Sequence, residues 1–445
     1  MSSLPRNKKI SPQHIIPNTM KKLLVLGCSF GTVQIVQEAK KMGLHVINAD
    51  YYETTPTKEI SDEQWLISIM DIDLLEKKCR EANIDGVICG CSDEVIDISI
   101  ELCSRLNLPI YCSDKRGWEV ARNKGEFKRI CNEIGTPVPT SYPLTDELRK
   151  EDLAKISYPA VIKPVDMSAN RGMSFCENEQ EVIEAVKYVR KFSQAKNFIC
   201  ERRLYGPEWV ANYVLANGEA RLLYLGREYH QPGQPANLYS MIVTSPYRLK
   251  QYVDEVNEKV VDFFREAHYK DGIGWVELMF DERDKKFYII EPAYRFSSET
   301  SYHLYEKVDG FPTVKWYIEN ALGVKHSTDD LPPNLNQAYK ATVGSYHLFA
   351  STEGIIDKIE GLEELDKMPN VEYDLPKRKG GKVTYHMCIG LVRFYADNVN
   401  ELVNIMKKVN DVFSIKNDKG ENMFIRFTNY EEVINEFKEG MKDYE

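Results

Sequence analysis

Apolar and polar positions over residues 21–115 follow two periods in turn. Short apolar runs fit buried strands, and between them apolar residues recur every three to four positions, as on one face of a helix. Strands are predicted at residues 23–27, 45–49, 86–89 and 108–111, and helices at 33–42, 72–81 and 93–106. Because strands alternate with helices, we expect a compact parallel α/β domain over residues 21–115.

The pattern changes after about residue 120. Helices are predicted at residues 124–134, 181–192 and 249–268, and strands at 158–164, 198–201, 209–215, 220–226, 274–280 and 286–290. Residues 116–330 therefore form a second predicted unit. A linker beginning at Pro332 leads to a smaller α+β cap at residues 336–445, with a helix at 399–409. The polar, proline-containing residues 1–20 are expected to be a flexible leader.

Composition narrows the class of protein. The chain has 445 residues, and 58 Lys and Arg against 68 Asp and Glu give a net charge of −10, so neither nucleic acid nor an anionic membrane is an expected partner. No apolar run approaches the roughly 18 residues of a membrane span, and we expect a cytoplasmic protein. The ten cysteines are scattered, which favours free thiols over disulfides or a zinc site.

A first candidate phosphate site follows the predicted strand that ends near Lys163. Residues 166–173 are small and polar, and include Ser168, Arg171 and Gly172. Backbone amides, a hydroxyl and a guanidinium beside a fixed ammonium suit a triphosphate. The alternative is that Lys163 is a solvated strand end.

A second candidate feature is the segment from Cys200 to Glu208. A strand edge that runs into the turn Gly206-Pro207 offers free backbone groups to the edge of a base, and the Glu208 carboxylate could accept both hydroxyls of a ribose. Hairpins often carry surface glutamates, so this segment by itself is a weak indication.

A third feature is a pair of carboxylates on adjacent apolar strands. Glu277 and Glu291 are predicted to lie side by side, with Arg295 four residues further on. Two such carboxylates repel each other unless a cation lies between them, and Mg²⁺ held by one or two carboxylates and substrate phosphates meets this need. The alternative is a pair of partly exposed acids that face Lys or Arg.

The turn after the first strand permits a different nucleotide. Gly27 and Gly31 lie between a strand and a helix, and Asp50 ends the next strand, as in a dinucleotide-binding turn. The G-x-G-x-x-G spacing is absent, and many α/β domains need glycine here only for the turn itself. We therefore favour the structural interpretation of these glycines.

Taken in order, these segments resemble the ATP-grasp superfamily from about residue 21 to the C-terminus. The layout is similar to that of biotin carboxylase, carbamoyl phosphate synthetase and the amino-acid ligases. The resemblance implies a parallel α/β pre-domain, a two-lobed ATP-grasp domain and a small C-terminal α+β cap. It also implies that ATP and Mg²⁺ are cofactors, that the substrates are a small carboxylic acid and an amine, and that a homodimer is compatible with the fold.

The resemblance also implies individual roles. Lys124 and Lys163 hold the ATP phosphates; residues 166–173, with Ser168, Arg171 and Gly172, form the flap; Glu201 and the Leu204 backbone meet adenine; Glu208 meets the ribose; Glu277 and Glu291 carry Mg²⁺; and Arg295 steadies the reacting carboxylate and phosphoryl group. The chain departs from the family at Ala293, where an asparagine ligand is usual, which leaves the second Mg²⁺ open. The flap has a single glycine.

The implied reaction is activation of a carboxylic acid as an acyl phosphate and its coupling to an amine, with ADP and phosphate released. Arg227 and His230 could hold an acidic substrate or belong to a solvated loop, and Ser297 is a third candidate for the substrate site. Two other classes stay open: an NAD-dependent oxidoreductase built on the N-terminal domain, and a nucleotide-binding module without catalytic activity.

Overall fold

A computed structural model describes residues 20–112, 114–165, 172–193, 197–233, 238–335, 338–339 and 341–445. Ser168 and Arg171 of the predicted flap lie outside the described residues, and Gly172 is the first described residue after them. The described part of the chain is a mixed helix and sheet structure, which confirms the predicted fold class. Among its helices, none is long and apolar enough to cross a membrane.

The N-terminal elements form a parallel sheet covered by helices. Its strands are β1 Lys22–Leu26, β2 His45–Asp50, β3 Glu63–Leu66 and β4 Gly86–Cys89, and its helices are α1 Thr32–Lys41, α2 Pro56–Ile60, α3 Ile72–Ala82, α4 Asp93–Leu106 and α5 Lys115–Arg122. The strand order is β3-β2-β1-β4, and every pair is parallel. The predicted parallel α/β arrangement is therefore confirmed.

Two details of the predicted sheet are wrong. The segment 108–111 is not a strand. Pro109 of this segment cannot donate a hydrogen bond to a sheet ladder. Tyr111 is buried against the next unit, where its hydroxyl donates to the Tyr294 carbonyl at 2.7 Å. The fourth strand is instead β3, which sequence patterning missed because only Trp65 of this edge strand is buried.

A small lobe follows the first sheet. Helix α6 Lys124–Ile134 comes first and packs into the main core through Phe127 and Ile130. The elements of the small lobe are α7 Lys150–Leu153, β5 Ala160–Pro164, β6 Ser174–Cys176, α8 Glu179–Phe192 and β7 Phe198–Arg202. The three strands form an antiparallel sheet in the order β6-β5-β7. Helix α8 packs on this sheet through Val182 and Val186, which share a small separate core with Ile162 and Cys200.

The remaining elements build a large sheet and its cover. Up to residue 331 they are β8 Glu208–Ala216, β9 Glu219–Tyr229, β10 Met241–Thr244, α9 Leu249–Tyr252, α10 Glu258–Glu266, β11 Gly272–Asp281, β12 Lys286–Ala293, α11 Tyr302–Asp309 and α12 Thr313–Ala321. A π-helical turn, Val253–Asn257, joins α9 to α10, so the predicted long helix is one helical rod with a bulge. A 3-10 turn follows at Thr328–Asp330.

The C-terminal part contributes strands to two sheets. Its elements are β13 Thr342–Phe349, β14 Gly354–Glu360, α13 Leu362–Asp366, β15 Val371–Asp374, β16 Lys382–Val383, β17 Cys388–Ala396, α14 Val399–Val412, β18 Ser414–Asn417, α15 Tyr430–Met441 and a last 3-10 turn, Lys442–Tyr444. Strands β16, β14 and β18 form a small antiparallel sheet. Strands β13, β17 and β15 extend the large sheet, whose order is β12-β11-β8-β9-β10-β13-β17-β15.

One face of the large sheet collects the polar side chains that matter below. Residues opposite one another on paired strands share a face, as do alternate residues of one strand. Glu277 is opposite Glu291, and Glu208 is opposite Glu228 and Met279, two residues from Glu277. These four glutamates therefore lie on one face.

The same face continues into the C-terminal strands. Glu228 is opposite Ile242, Ile242 is opposite Ser345, and Ser345 is opposite Arg393. The acidic end of the face and Arg393 are thus joined by one uninterrupted set of paired strands.

The first sheet meets this face at a glycine. Gly31 has φ 88°, and a Cβ placed on it would lie 2.8 Å from a ring carbon of Phe296 and 3.1 Å from Thr300. Both neighbours are fully buried. The contact leaves no room for a side chain at position 31.

We expect Gly31→Ala to destabilise the chain by roughly 2–4 kcal/mol, because a left-handed backbone and a steric clash combine there. Gly43→Ala is the matched control: its φ is 76°, but no atom lies within 4 Å of the added Cβ, so only the backbone term of about 1 kcal/mol applies. Chemical denaturation of both variants measures the difference. Equal losses would show that the contact with Phe296 is not tight.

Candidate active site

Two lysines from different elements hold one buried carboxylate between the lobes. Glu201 of β7 is 1% exposed, and its oxygens lie 2.8 Å from Lys128 Nζ and 3.3 Å from Lys163 Nζ. Burial alone would raise the pKa of Glu201, but the two ammonium groups outweigh it and lower this pKa. The carboxylate is therefore charged, and it fixes both lysines.

Lys128 is a site residue that sequence reasoning missed. It lies on the buried face of α6, and burial together with nearby Lys163 lowers its pKa, although Glu201 opposes this. The available signal was its spacing: Lys128 is four residues after Lys124, which places both on one helix face. Lys124 itself is the first residue of α6, after the N-cap Asn123, whose side chain accepts from the Glu126 amide at 3.0 Å.

The predicted carboxylate pair is present as cross-strand neighbours. Glu277 of β11 is directly opposite Glu291 of β12. The pair lies at the cleft, where the surrounding protein shields the Glu277 carboxyl group from water. Burial, Glu291 and then Glu208 raise the pKa of Glu277 to about 8, while Lys163 and Lys124 partly oppose the rise. Carboxylates and lysines from the two lobes thus act on one another across a single cleft.

Two further acids on the same face were not predicted. Glu228 of β9 is 3% exposed, and burial followed by Glu277, Glu208 and Glu299 raises its pKa well above the ordinary value. Glu299 is buried in the loop after β12, where it accepts from Tyr224 and, at 3.2 Å, from Asn212. Burial raises the pKa of Glu299 to about 7.

Arg295 lies where the first sheet meets the large one. Its Nε donates to Asp93, the first residue of α4, at 2.6 Å, and its Nη1 donates to the Phe296 carbonyl at 2.9 Å. The guanidinium also lies over the ring of Trp275, 4.9 Å from its centroid. The group is therefore held in a fixed orientation, and within the described part of the chain part of its donor set is unused.

The candidate substrate residues lie in three different settings. Ser297 is buried in the turn after Arg295, where its hydroxyl accepts from the Glu299 amide at 3.3 Å. His230 follows β9, and its Nε2 lies 3.1 Å from a Glu208 oxygen while its Nδ1 lies 3.0 Å from the Leu238 carbonyl oxygen. The predicted ribose acid Glu208 and His230 are thus direct neighbours.

Of the two alternatives for Arg227, the solvated loop is excluded, because the residue lies within β9 and is 4% exposed. Its Nε donates to Glu436 of α15 at 3.0 Å, and its Nη2 lies 3.3 Å from Glu432. The guanidinium also covers Trp209 and Tyr229. Arg227 ties the C-terminal helix to the strand that carries Glu228.

Two predicted adenine contacts lie at the end of β7. Leu204 follows this strand and is buried, while the Glu201 carboxylate is already engaged by lysines. Ala293, at the position where an asparagine was expected from the resemblance, is opposite Trp275 and adds no oxygen ligand. Among the described residues no cluster of three or more His, Cys, Asp or Glu forms a metal site by itself, so Glu277 and Glu291 remain the candidate pair.

Comparison with known proteins agrees with this geometry. The family model for the carbamoyl-phosphate synthase L chain, ATP binding domain, matches residues 123–328. Formate-dependent phosphoribosylglycinamide formyltransferase of Prochlorococcus marinus is 29% identical over 185 residues, 40% of this chain and 45% of that enzyme. Its counterpart from Methanocaldococcus jannaschii is 21% identical over 402 residues, 87% of this chain and 95% of that enzyme.

Two solved structures share the fold over most of their length. The L-amino acid ligase of Bacillus licheniformis has a TM-score of 0.70 at 20% identity, covering 89% of this chain and 99% of that one. The biotin carboxylase domain of Hydrogenobacter thermophilus 2-oxoglutarate carboxylase, solved with MgADP, ADP and bicarbonate, has a TM-score of 0.75 at 18% identity and covers 96% of both chains.

The cleft between lysines and carboxylates, together with these matches, defines a nucleotide-dependent enzyme of the two-lobed clamp type. Over residues 123–328 the chain is similar to the ATP-binding domain of carbamoyl-phosphate synthase, and it shares its fold with these two ATP-grasp structures.

The raised pKa of Glu277 predicts how the metal-free chain responds to pH. A carboxyl group whose pKa is about 8 when folded and 4.5 in its ordinary state stabilises the fold least at high pH, because the unfolded chain then releases the proton more easily. Stability should fall as the pH rises between these two values. Glu277→Gln removes this term, and its unfolding temperature relative to wild type should be higher at pH ~8.5 than at pH ~5.

Thermal unfolding without nucleotide or metal provides the measurement. Glu363→Gln, on the exposed side of α13, is the control and should show no such divergence between the two pH values. A constant offset for Glu277→Gln at both pH values would contradict the desolvated position of this carboxylate.

Proposed function

We propose that this chain activates a small carboxylic acid as an acyl phosphate and couples it to an amine. In the first step a carboxylate oxygen attacks the γ-phosphorus of ATP, and ADP leaves. In the second step the amine attacks the acyl carbon, phosphate leaves, and the amine loses a proton. The observation that supports the proposal is that Lys163 and Lys124 act on Glu277, which is opposite Glu291, while Arg295 lies over Trp275, two residues before Glu277 on β11.

The residues present fit Mg²⁺ and nucleotide phosphates. Glu277 and Glu291 are directly opposite each other, and burial, followed by repulsion from Glu291, raises the pKa of Glu277. A divalent ion held by both carboxylates and by phosphate oxygens relieves it and neutralises phosphate charge. Because Ala293 adds no ligand, the pair accounts for one ion, and a second would need water or substrate oxygens.

The remaining nucleotide contacts follow the cleft. Lys124 and Lys163 are placed to bind phosphate oxygens, and a bound phosphate would compete with Glu201 for Lys163. Segment 166–173 is proposed to cover the phosphates, the Leu204 backbone and Glu201 to meet adenine, and Glu208 to meet the ribose. His230, in contact with Glu208, would then orient this acid.

Arg295 is proposed to bind the carboxylate being activated. Its guanidinium is fixed by Asp93 through Nε, which leaves Nη2 to point a donor at a substrate oxygen. A fixed donor directed at developing charge stabilises a transition state without reorganising when the reaction occurs. The Ser297 hydroxyl stabilises the adjoining turn through its contact with Glu299, and we do not propose that it contacts the substrate.

The dinucleotide alternative is disfavoured at the N-terminal turn. The backbone amide of Gly31, at the start of α1, donates to the Asp374 carboxylate at 3.4 Å, where a pyrophosphate would have to bind. The same turn packs on Phe296. The proposal also divides the chain into a pre-domain at 21–115, an ATP-grasp domain at 116–330 and a cap at 336–445. It further includes a cytoplasmic location and a homodimer.

ATP binding is the first test. Lys163→Ala should weaken Mg·ATP binding by at least about tenfold, because a charge-assisted contact to phosphate is lost. Lys155→Ala, an exposed lysine paired with Asp152, should leave affinity within about twofold. Isothermal titration calorimetry measures both. Unchanged affinity in Lys163→Ala would remove Lys163 from the nucleotide site.

The products test the reaction. With the correct acid the enzyme should release ADP rather than AMP, and hydroxylamine should trap a hydroxamate, because the acid is activated by phosphorylation. Arg295→Ala should lower turnover by at least about a hundredfold with ATP affinity retained. Arg122→Ala, which removes the other partner of Asp93, is the control that keeps Arg295 intact.

A screen of phosphate release over small organic acids and amines, singly and in pairs, identifies the substrates for this test. AMP and pyrophosphate as products would overturn the acyl phosphate. Nucleotide binding without turnover of any pair would favour a module without catalytic activity.

A further inference from the structure

Trp275 is the one tryptophan of the chain that lies outside the apolar core. The chain has five tryptophans, and the others are at most 7% exposed: Trp65, Trp118, Trp209 and Trp316. Trp275 and Glu277 are both partly exposed on β11, while Val276 between them is fully buried. Because alternate residues of a strand share a face, the indole lies on the face that carries the carboxylate pair.

The indole is one of three contacts that hold the Arg295 guanidinium. Asp93 accepts from Nε at 2.6 Å, and the Phe296 carbonyl accepts from Nη1 at 2.9 Å, so both of these contacts act at the edge of the planar group. Trp275 instead lies against its flat face, with the guanidinium carbon 4.9 Å from the ring centroid. The edge contacts fix where the group lies, and the ring limits how far its plane can tilt. Nη2 is in none of the three contacts.

The neighbouring strand leaves room for this arrangement. Ala293 of β12 is directly opposite Trp275, and opposite residues of paired strands have Cβ atoms only about 4.5–5.5 Å apart. A longer side chain at position 293 would compete with the indole for the space beside Arg295. The small residue and the large ring are therefore complementary, and the position that adds no oxygen ligand is the one that admits the ring.

The ring is held by its face and not by its polar atom. Within the ranges that the structure describes, the buried Nε1 of Trp275 has no hydrogen-bond partner, and a buried N–H without a partner destabilises a fold. A cation over the face of an indole is attracted by the ring electrons. The contact with Arg295 is therefore what the exposed ring provides at this place.

We propose that Trp275 is the positioning residue of Arg295: its ring holds the guanidinium plane so that Nη2 faces the carboxylate and phosphoryl oxygens of the reaction. The inference rests on the proposed function, which assigns Arg295 to the acid that is activated. A guanidinium that tilts loses hydrogen bonds that depend on direction. Trp275 would thus act on the reaction through the arginine alone.

Inorganic phosphate and MgADP are the probes, because the proposed reaction releases ADP and phosphate whichever acid it uses. Calorimetry measures MgADP binding to the full chain first, and then phosphate binding to the chain saturated with MgADP. The unfolding temperature of each variant is measured in parallel.

Trp275→Leu and Trp275→Met both keep an apolar side chain and remove the aromatic face. We expect each to weaken phosphate binding at least about tenfold, because the donor to a charged oxygen is no longer aligned. MgADP affinity should stay within about twofold of wild type, since the nucleotide contacts lie elsewhere. Trp275→Phe keeps a ring without the N–H, and it should restore phosphate affinity to within about threefold of wild type.

Arg295→Lys keeps the charge and removes the flat guanidinium, which completes a double-mutant cycle. If the ring acts through Arg295, adding Trp275→Leu to Arg295→Lys should change phosphate affinity by less than about twofold. Tyr188→Leu, which removes a 49% exposed aromatic ring on α8, is the matched control and should bind both probes as wild type does.

Four results overturn the proposal. Trp275→Leu and Trp275→Met bind phosphate as wild type does; they lose MgADP in the same proportion as phosphate; Trp275→Phe is as weak as Trp275→Leu; or Trp275→Leu has its full effect in the Arg295→Lys background.

Arg295→Lys by itself separates this proposal from the proposed function. Weaker phosphate binding in Arg295→Lys, with no change in Trp275→Leu, leaves Arg295 in the site and removes only the role of Trp275. Phosphate binding that is absent in wild type, or unchanged in Arg295→Lys, removes Arg295 from the site and the role of Trp275 with it.

Discussion

Repulsion between carboxylates on one face of the large sheet is the constraint on which the rest of the site depends. Four glutamates lie on four paired strands, and the register of these strands keeps them on the same face: Glu208, Glu228, Glu277 and Glu291. Backbone pairing fixes their spacing, so the repulsion has to be met from outside the sheet. The three lysines described at the cleft come from other elements: Lys124 and Lys128 from α6, and Lys163 from the small lobe.

The two lobes are joined by ion pairs rather than by a shared apolar core. The small lobe has its own core around Ile162 and Val186. Glu201 of its β7 reaches Lys128 of α6, and Arg202 next to it reaches buried Asp281 at the end of β11 at 2.8 Å. Ion pairs of this kind hold the lobes in a preferred orientation. They also allow the lobes to reorient more easily than interlocked side chains would. A nucleotide that engages Lys163 therefore acts on the contacts between the lobes.

Regular periodicity explains what could be predicted from sequence. Helices α4 and α6 and strands β1 and β4 were found close to their observed bounds, because their buried residues repeat with a helix or strand period. Edge strand β3 was missed because one face of it is exposed. Segment 108–111 was predicted to be a strand because the sequence does not distinguish burial of Tyr111 against a neighbouring unit from burial within a sheet.

The site was predictable where a motif has a fixed local order. Glu277, Glu291 and Arg295 lie on one hairpin and its exit, so spacing alone brought them together. Lys128, Glu228 and Glu299 were not found, because each gains its role from a contact between distant segments. The two alternatives for Arg227 stayed open for the same reason: its partners, Glu432 and Glu436, are about two hundred residues away, and no local pattern indicates them.

The C-terminal strands extend the acidic face of the large sheet. If β13, β17 and β15 formed a separate sheet, Arg393 would have no fixed position relative to Glu228. Because they continue the same ladder through β10, the guanidinium is held on the face that carries the carboxylates. Arg227 strengthens this link by binding α15 to β9. The C-terminal part is therefore not only a cover: its strands extend the acidic face to Arg393, which is opposite Glu372.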